Sequence, residues 1–94
     1  MLRLRFQATI IEWRGPSPFF FAPLPAAEAE EIRQIAKHVT YGWGVIPVTA
    51  TISGVTFTTS LFPRDETYLL PLKVAVRKQT NVTVDDIIDI GMTV

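Results

Sequence analysis

The chain of 94 residues contains no cysteine. Disulfides, thiolate catalysis and cysteine-ligated zinc sites are therefore excluded. It holds a single histidine, His38, so no histidine pair is available for a metal or a relay. It also lacks a charge excess: nine basic residues balance nine acidic ones, and the isoelectric point is about 6.6. That balance argues against a protein whose affinity rests on neutralising nucleic-acid phosphates. No apolar run approaches the roughly 20 residues of a membrane-spanning helix. The first eleven residues alternate apolar and polar rather than forming the continuous apolar stretch of a signal peptide. These absences lead to an expectation of a cytoplasmic protein with no cofactor, metal or membrane partner.

The 48% of hydrophobic residues is enough for a packed globular core. The length fits one domain over residues 1–94 and is short for two. Within it the same order of segments occurs twice. Leu24-Pro25 follows a run of aromatic and apolar residues and opens a helical pattern, after which a strand ends near Ile52. Leu70-Pro71 follows Tyr68 and Leu69 in the same way, and a strand runs to Val94.

Leu2, Leu4, Phe6, Ala8 and Ile10 alternate with polar residues, the pattern of a strand with one buried face. The apolar parity then changes at Ile11 and Trp13, which points to a bulge near Ile10-Ile11 that bends the strand. Arg14 to Pro18 reads as a turn and Phe19 to Ala22 as a short strand ended by Pro23. A helix is expected over 25–38. Pro25 suits its first turn, Ala29, Ile32, Ala36 and Val39 form an apolar stripe with Ile35 beside it, and acidic residues precede basic ones along the dipole.

Ser53-Gly54 suits a two-residue hairpin turn. The register that follows sets Ile52 opposite Val55, Ala50 opposite Phe57, Val48 opposite Thr59 and Ile46 opposite Leu61 on one face. Thr51/Thr56 and Thr49/Thr58 share the other. Phe62 to Glu66 reads as a polar turn and Thr67 to Leu70 as a strand. Pro71 is expected to start a second helix, with Leu72, Ala75 and Val76 inward, Lys73, Arg77 and Lys78 outward, and Asn81 as its stop. Ile88, Ile90, Met92 and Val94 alternate along a last strand. The fold expected from the residues is mainly β with two short helices: a small barrel of two similar β-β-α-β halves in one chain.

Three stretches together resemble a known family: the run from Val48 to Phe57 around Ile52-Ser53-Gly54, the run Tyr68-Leu69-Leu70-Pro71-Leu72, and Val76-Arg77-Lys78 followed by Asp86-Ile87-Ile88. The chain resembles the family of bacterial proteins catalogued as domain of unknown function nineteen hundred and five, over nearly its whole length. Where that family carries glycine before an aspartate, this chain has Asp85. The resemblance implies a closed double-split β-barrel with two pseudo-symmetric halves. That fold looks like the dimeric barrel of transition-state-regulator and antitoxin DNA-binding proteins, here in one chain. Some members of the family carry a further bacteriocin-protection-type domain, which residues 1–94 do not show. The family has no established biochemical role.

Candidate sites follow from residue chemistry. Tyr41 and Trp43, in the loop Tyr41-Gly42-Trp43-Gly44, offer flat apolar faces with polar tips for a ligand, or else plug the barrel end. Arg77 and Lys78, with Lys73, offer an anion-contact surface, or else a solvated helix face with an Arg77–Asp86 ion pair. Phe19, Phe20 and Phe21 cannot all face one way, so at least one belongs to the core. His38 at a helix end complements the dipole and has no partner poised for general-base catalysis. Asp85, Asp86 and Asp89 lack the spacing of a calcium loop. The functional expectation is a non-enzymatic module binding a small molecule or a protein through Tyr41, Trp43, Arg77 and Lys78. Nucleic-acid binding by fold analogy is the alternative, and an enzyme of unknown reaction is the second alternative.

Overall fold

A computed structural model describes residues 2–13, 19–39 and 45–94, with backbone alone for 37–39. The N-terminal alternation forms β1 (Arg3–Thr9), Ile10 interrupts it, and β2 (Ile11–Trp13) continues the same stretch in a new direction. Then come β3 (Phe19–Pro23), α1 (Ala26–Val39), β4 (Ile46–Ile52), β5 (Val55–Arg64), β6 (Thr67–Leu72), α2 (Val74–Thr80) and β7 (Ile87–Thr93). The architecture is mainly β with two helices, as the sequence implies. The strand order is β1-β7-β4-β5-β6-β3-β2, and all neighbours are antiparallel.

The sheet is a strongly curled half-barrel and not the closed barrel expected from the resemblance. Its two ends, β1 and β2, do not pair with each other. They are successive pieces of one bent stretch, separated only by Ile10, and among the described residues each pairs with one neighbour alone, β1 with β7 and β2 with β3. At the bend the Ile10 N–H donates to the Asp86 carbonyl (2.9 Å) and the Asp85 N–H donates to the Ile10 carbonyl (2.8 Å). β5 serves two neighbours as well, pairing with β4 up to Leu61 and with β6 from Phe62 onward.

The hairpin of β4 and β5 has the register read from the sequence, pair for pair from Ile52/Val55 to Ile46/Leu61. Ser53 and Gly54 both have positive φ (50° and 79°), the geometry a tight hairpin turn needs. Thr51 and Thr56 hydrogen-bond across the outer face at 2.9 Å. Inward, Ile46, Val48, Ala50 and Ile52 join Phe6, Ala8, Ile10, Ile90 and Met92 in the main core. Ala22, Leu70 and Leu72 complete it from the other end of the sheet, and Ala29 and Ile32 of α1 cap it.

Both Leu-Pro pairs lie where strand gives way to helix, but the second helix starts later than expected. The Pro25 carbonyl accepts the Ala29 N–H (2.9 Å), so α1 begins directly after Pro25. Pro71, by contrast, remains in β6 opposite Phe21, and α2 begins at Val74 with Lys73 as its N-cap. Register explains the difference. The Leu24 N–H donates to the Tyr68 carbonyl (3.0 Å), which makes Ala22/Leu70 and Phe20/Leu72 the hydrogen-bonded pairs and Phe21/Pro71 a non-bonded one. The Pro71 nitrogen therefore points away from β3. On that side the pairing with β5 has already ended at Leu69, so no ladder bond is lost. Two further expectations change. Phe62-Pro63-Arg64 is strand and only Asp65-Glu66 is turn, while Ala75 is exposed and Val76 alone anchors α2.

Asn81 stops α2 in the left-handed conformation (φ 58°), its N–H donating to the Arg77 carbonyl at 2.8 Å. Asp85, where the resembling family has glycine, also has positive φ (72°). An L-residue is strained there and glycine is not. Asp85→Gly is expected to stabilise the fold by about 0.5–1 kcal/mol, because the backbone bond to Ile10 is kept and the strain is relieved. Urea denaturation measures this, and a loss of stability would contradict the account of the turn.

Candidate binding groove on the outer sheet face

In β3 the side chains alternate, so Phe20 and Ala22 face the core while Phe19 and Phe21 face outward. Register extends that outward face across four strands. Trp13 lies opposite Phe19. Ile11, Phe21 and Pro71 form one row, and Pro23, Leu69 and Phe62 form the next. The outer face of the β2-β3-β6-β5 region is therefore apolar and largely aromatic.

The far half of the same sheet provides the contrast. There the outer rows are Arg3, Thr93 and Thr49, then Arg5, Gly91 and Thr51, with Thr58 and Thr56 beyond. That is the polar surface expected where a sheet meets water.

The change in apolar parity at Ile11 and Trp13 thus has a different origin from the one expected. Neither residue enters the main core. The strand bends at Ile10, and it is the outer face that becomes apolar beyond the bend.

Phe21 and Leu69 are buried, yet they stand apart from the main core. Their cover comes from their own neighbours. The Trp13 ring meets Phe21 edge-on, with centroids 5.4 Å apart and planes at 70°, and Phe19 lies 6.4 Å from Phe21. The covering residues stay open to solvent: Trp13 is 43% exposed, Phe62 46% and Phe19 59%. Single exposed apolar residues are ordinary, whereas these three large aromatics cluster on one sheet face and form a contiguous apolar patch. Between them runs a groove of about 500 Å³, within the size range of small-ligand sites.

Cations rim the groove. The Arg64 guanidinium lies 4.0 Å from the centroid of the Trp13 ring, and Lys73 lines the wall. Arg77, singled out from the sequence, stands behind the floor: its guanidinium covers the Phe20 ring at 4.0 Å and its Nε donates to the Leu72 carbonyl at 3.2 Å. It is not paired with Asp86, whose carboxylate instead accepts the Thr83 N–H at 2.9 Å. Lys78 is exposed and does not line the groove. Tyr41 and Trp43 lie outside the described residues, as does the His38 side chain. The residues that sequence reasoning missed are Trp13, Phe62 and Arg64. The signal for Trp13 was its odd-numbered phase, shared with Ile11, opposite to the core-facing even residues before it.

A second hollow, of about 700 Å³, lies between α1 and the β5-β6 hairpin. Although larger, it is polar, and Arg33 in its wall donates to the Glu30 carboxylate and the Glu66 carbonyl. Its contacts tie α1 to the hairpin. The aromatic groove is walled by solvent-exposed rings, and it is the better candidate.

Among the described residues no Ser, Thr, His, Asp or Glu lines the aromatic groove. Its described lining is suited to hold a ligand by apolar contact, stacking and charge. Among the described residues no cluster of three His, Asp or Glu side chains is placed to hold a metal ion. No described helix is long and apolar enough to cross a membrane.

The profile of a family described as Domain of unknown function (DUF1905) matches residues 6–92. The chain belongs to that family. No curated protein matches it.

Proposed function

We propose that this protein is a non-enzymatic binding module whose ligand sits on the aromatic outer face formed by Trp13, Phe19 and Phe62. The observation that supports this most is the contrast between two outer faces of one sheet. One is threonine- and arginine-rich, and the other carries solvent-exposed aromatics around a groove. Leaving such a surface uncovered promotes aggregation, which a bound occupant relieves. Among the described residues the lining holds no carboxylate, histidine or hydroxyl side chain, which favours binding over catalysis. The working location is the cytoplasm, in keeping with the absence of cysteine.

The same reading takes the fold as two pseudo-symmetric halves. Support comes from the strand pairing. When β1–β2 is exchanged with β5, β3 with β6 and β4 with β7, the set of paired neighbours is unchanged. On this view the aromatic groove is a specialisation of one end of a repeated framework.

The test is a ligand-observed NMR screen of small aromatic and aliphatic fragments against the wild type and a Phe19→Ser/Phe62→Ser variant. Hits are expected with the wild type and should vanish in the variant, while both proteins show the same dispersed backbone spectrum. No hits, or hits that survive the double substitution, would overturn the reading.

A further inference from the structure

We propose that the groove selects flat apolar anions, such as aromatic carboxylates, with Arg64 and Lys73 receiving the anionic group. This rests on the binding-module reading and names the ligand class of that same groove.

Three observations lead to it. The first is shape and chemistry. The walls are aromatic or aliphatic, with Trp13, Phe19 and Phe62 presenting ring surfaces, and ring faces hold flat ligands by stacking.

The second is charge complementarity. Among the described residues the groove lining contains two cations, Arg64 and Lys73, and no carboxylate. Arg64 has little other use for its donors. Its only ion pair among the described residues is with Asp65, at 3.9 Å and largely in water, where such pairs contribute little. Its guanidinium otherwise lies over the Trp13 ring, 4.0 Å from the centroid. A guanidinium held beside an indole presents a planar fork that matches a carboxylate. Lys73, exposed at the N-cap of α2, adds a mobile point charge at the other wall.

The third observation is what the walls omit. A nucleobase carries ring nitrogens and amino groups along its edge, and each must find a partner when it leaves water. Among the described residues no Asn, Gln, Ser or Thr side chain lines the groove. A ligand with a purely hydrocarbon body loses nothing there, whereas a base loses its edge bonds. The zero net charge and the two-cation rim likewise provide no track for a phosphate backbone.

The experiment compares three probes by calorimetry at low salt: 2-naphthoate, 2-naphthalenemethanol and adenosine 5′-monophosphate. The first two share a ring system and differ in charge. 2-Naphthoate is expected to bind about tenfold more tightly than either of the others. An Arg64→Gln/Lys73→Gln variant should bring naphthoate down to the affinity of the alcohol and leave the alcohol unchanged. Raising the salt should weaken naphthoate alone. Equal binding of acid and alcohol overturns the inference while the binding-module reading stands. Tighter binding of the nucleotide also overturns it and makes the groove a nucleotide site. Failure of all three probes to bind removes the ligand class and counts against the groove itself.

Discussion

Replacing Leu70 with alanine is expected to lower the free energy of unfolding by about 3 kcal/mol. Leu70 is fully buried at the middle of β6, opposite Ala22, in the core shared by both ends of the chain. Its neighbour across the ladder is already small, so the cavity left by truncation cannot be filled from that side. The neighbouring Leu69 differs in kind although it is one residue away. It faces outward, beneath Phe62, and belongs to the groove. Equilibrium urea denaturation measures the loss for Leu70→Ala. A loss under about 1 kcal/mol would mean that β6 does not cross the core as described.

Trp13→Ala is expected to weaken 2-naphthoate binding by at least about tenfold, since buried-face tryptophans dominate the energetics of such sites. Its effect on stability should be smaller, about 1–2 kcal/mol. Truncation removes the edge-on contact with Phe21 and the stacking partner of Arg64, each worth about 0.5–1.5 kcal/mol. No main-core contact is lost, because Trp13 lies on the outer face. Thr51→Ala, on the polar face of the same sheet, serves as the control and should leave naphthoate affinity unchanged. Calorimetry and denaturation on the same samples separate the two effects. Retained affinity in Trp13→Ala would remove this residue from the site.

The fold was legible in the sequence where local pattern and turn chemistry agree. The β4-β5 register follows from Ser53-Gly54 and strict alternation on both sides of it. α1 follows from its apolar stripe. Pro71 was misleading because a proline's tolerance in a strand depends on which side of the ladder its nitrogen faces. That is decided by pairing with β3, some fifty residues away in the chain (Phe21↔Pro71), and no local rule contains it. Closure of the barrel failed for a similar reason: alternation shows that strands bend, but not which strands meet.

The site was less legible. Arg77 was found because helical spacing made it stand out, and it lies behind the floor, over Phe20. Trp13, Phe62 and Arg64 come from two strands far apart in sequence and meet only through β3 and β6. Phe62 and Arg64 were hidden by Pro63, which suggested a turn. In the structure Pro63 sits opposite Tyr68 within the ladder.

The most direct measurement is a titration of the labelled protein with 2-naphthoate, followed through aromatic and methyl carbon–proton resonances. The account predicts that the largest shifts fall on Trp13, Phe19, Phe62 and Leu69, with the Thr49, Thr51 and Thr93 face unmoved. Shifts centred on Tyr41 and Trp43, or on the threonine face, would contradict it.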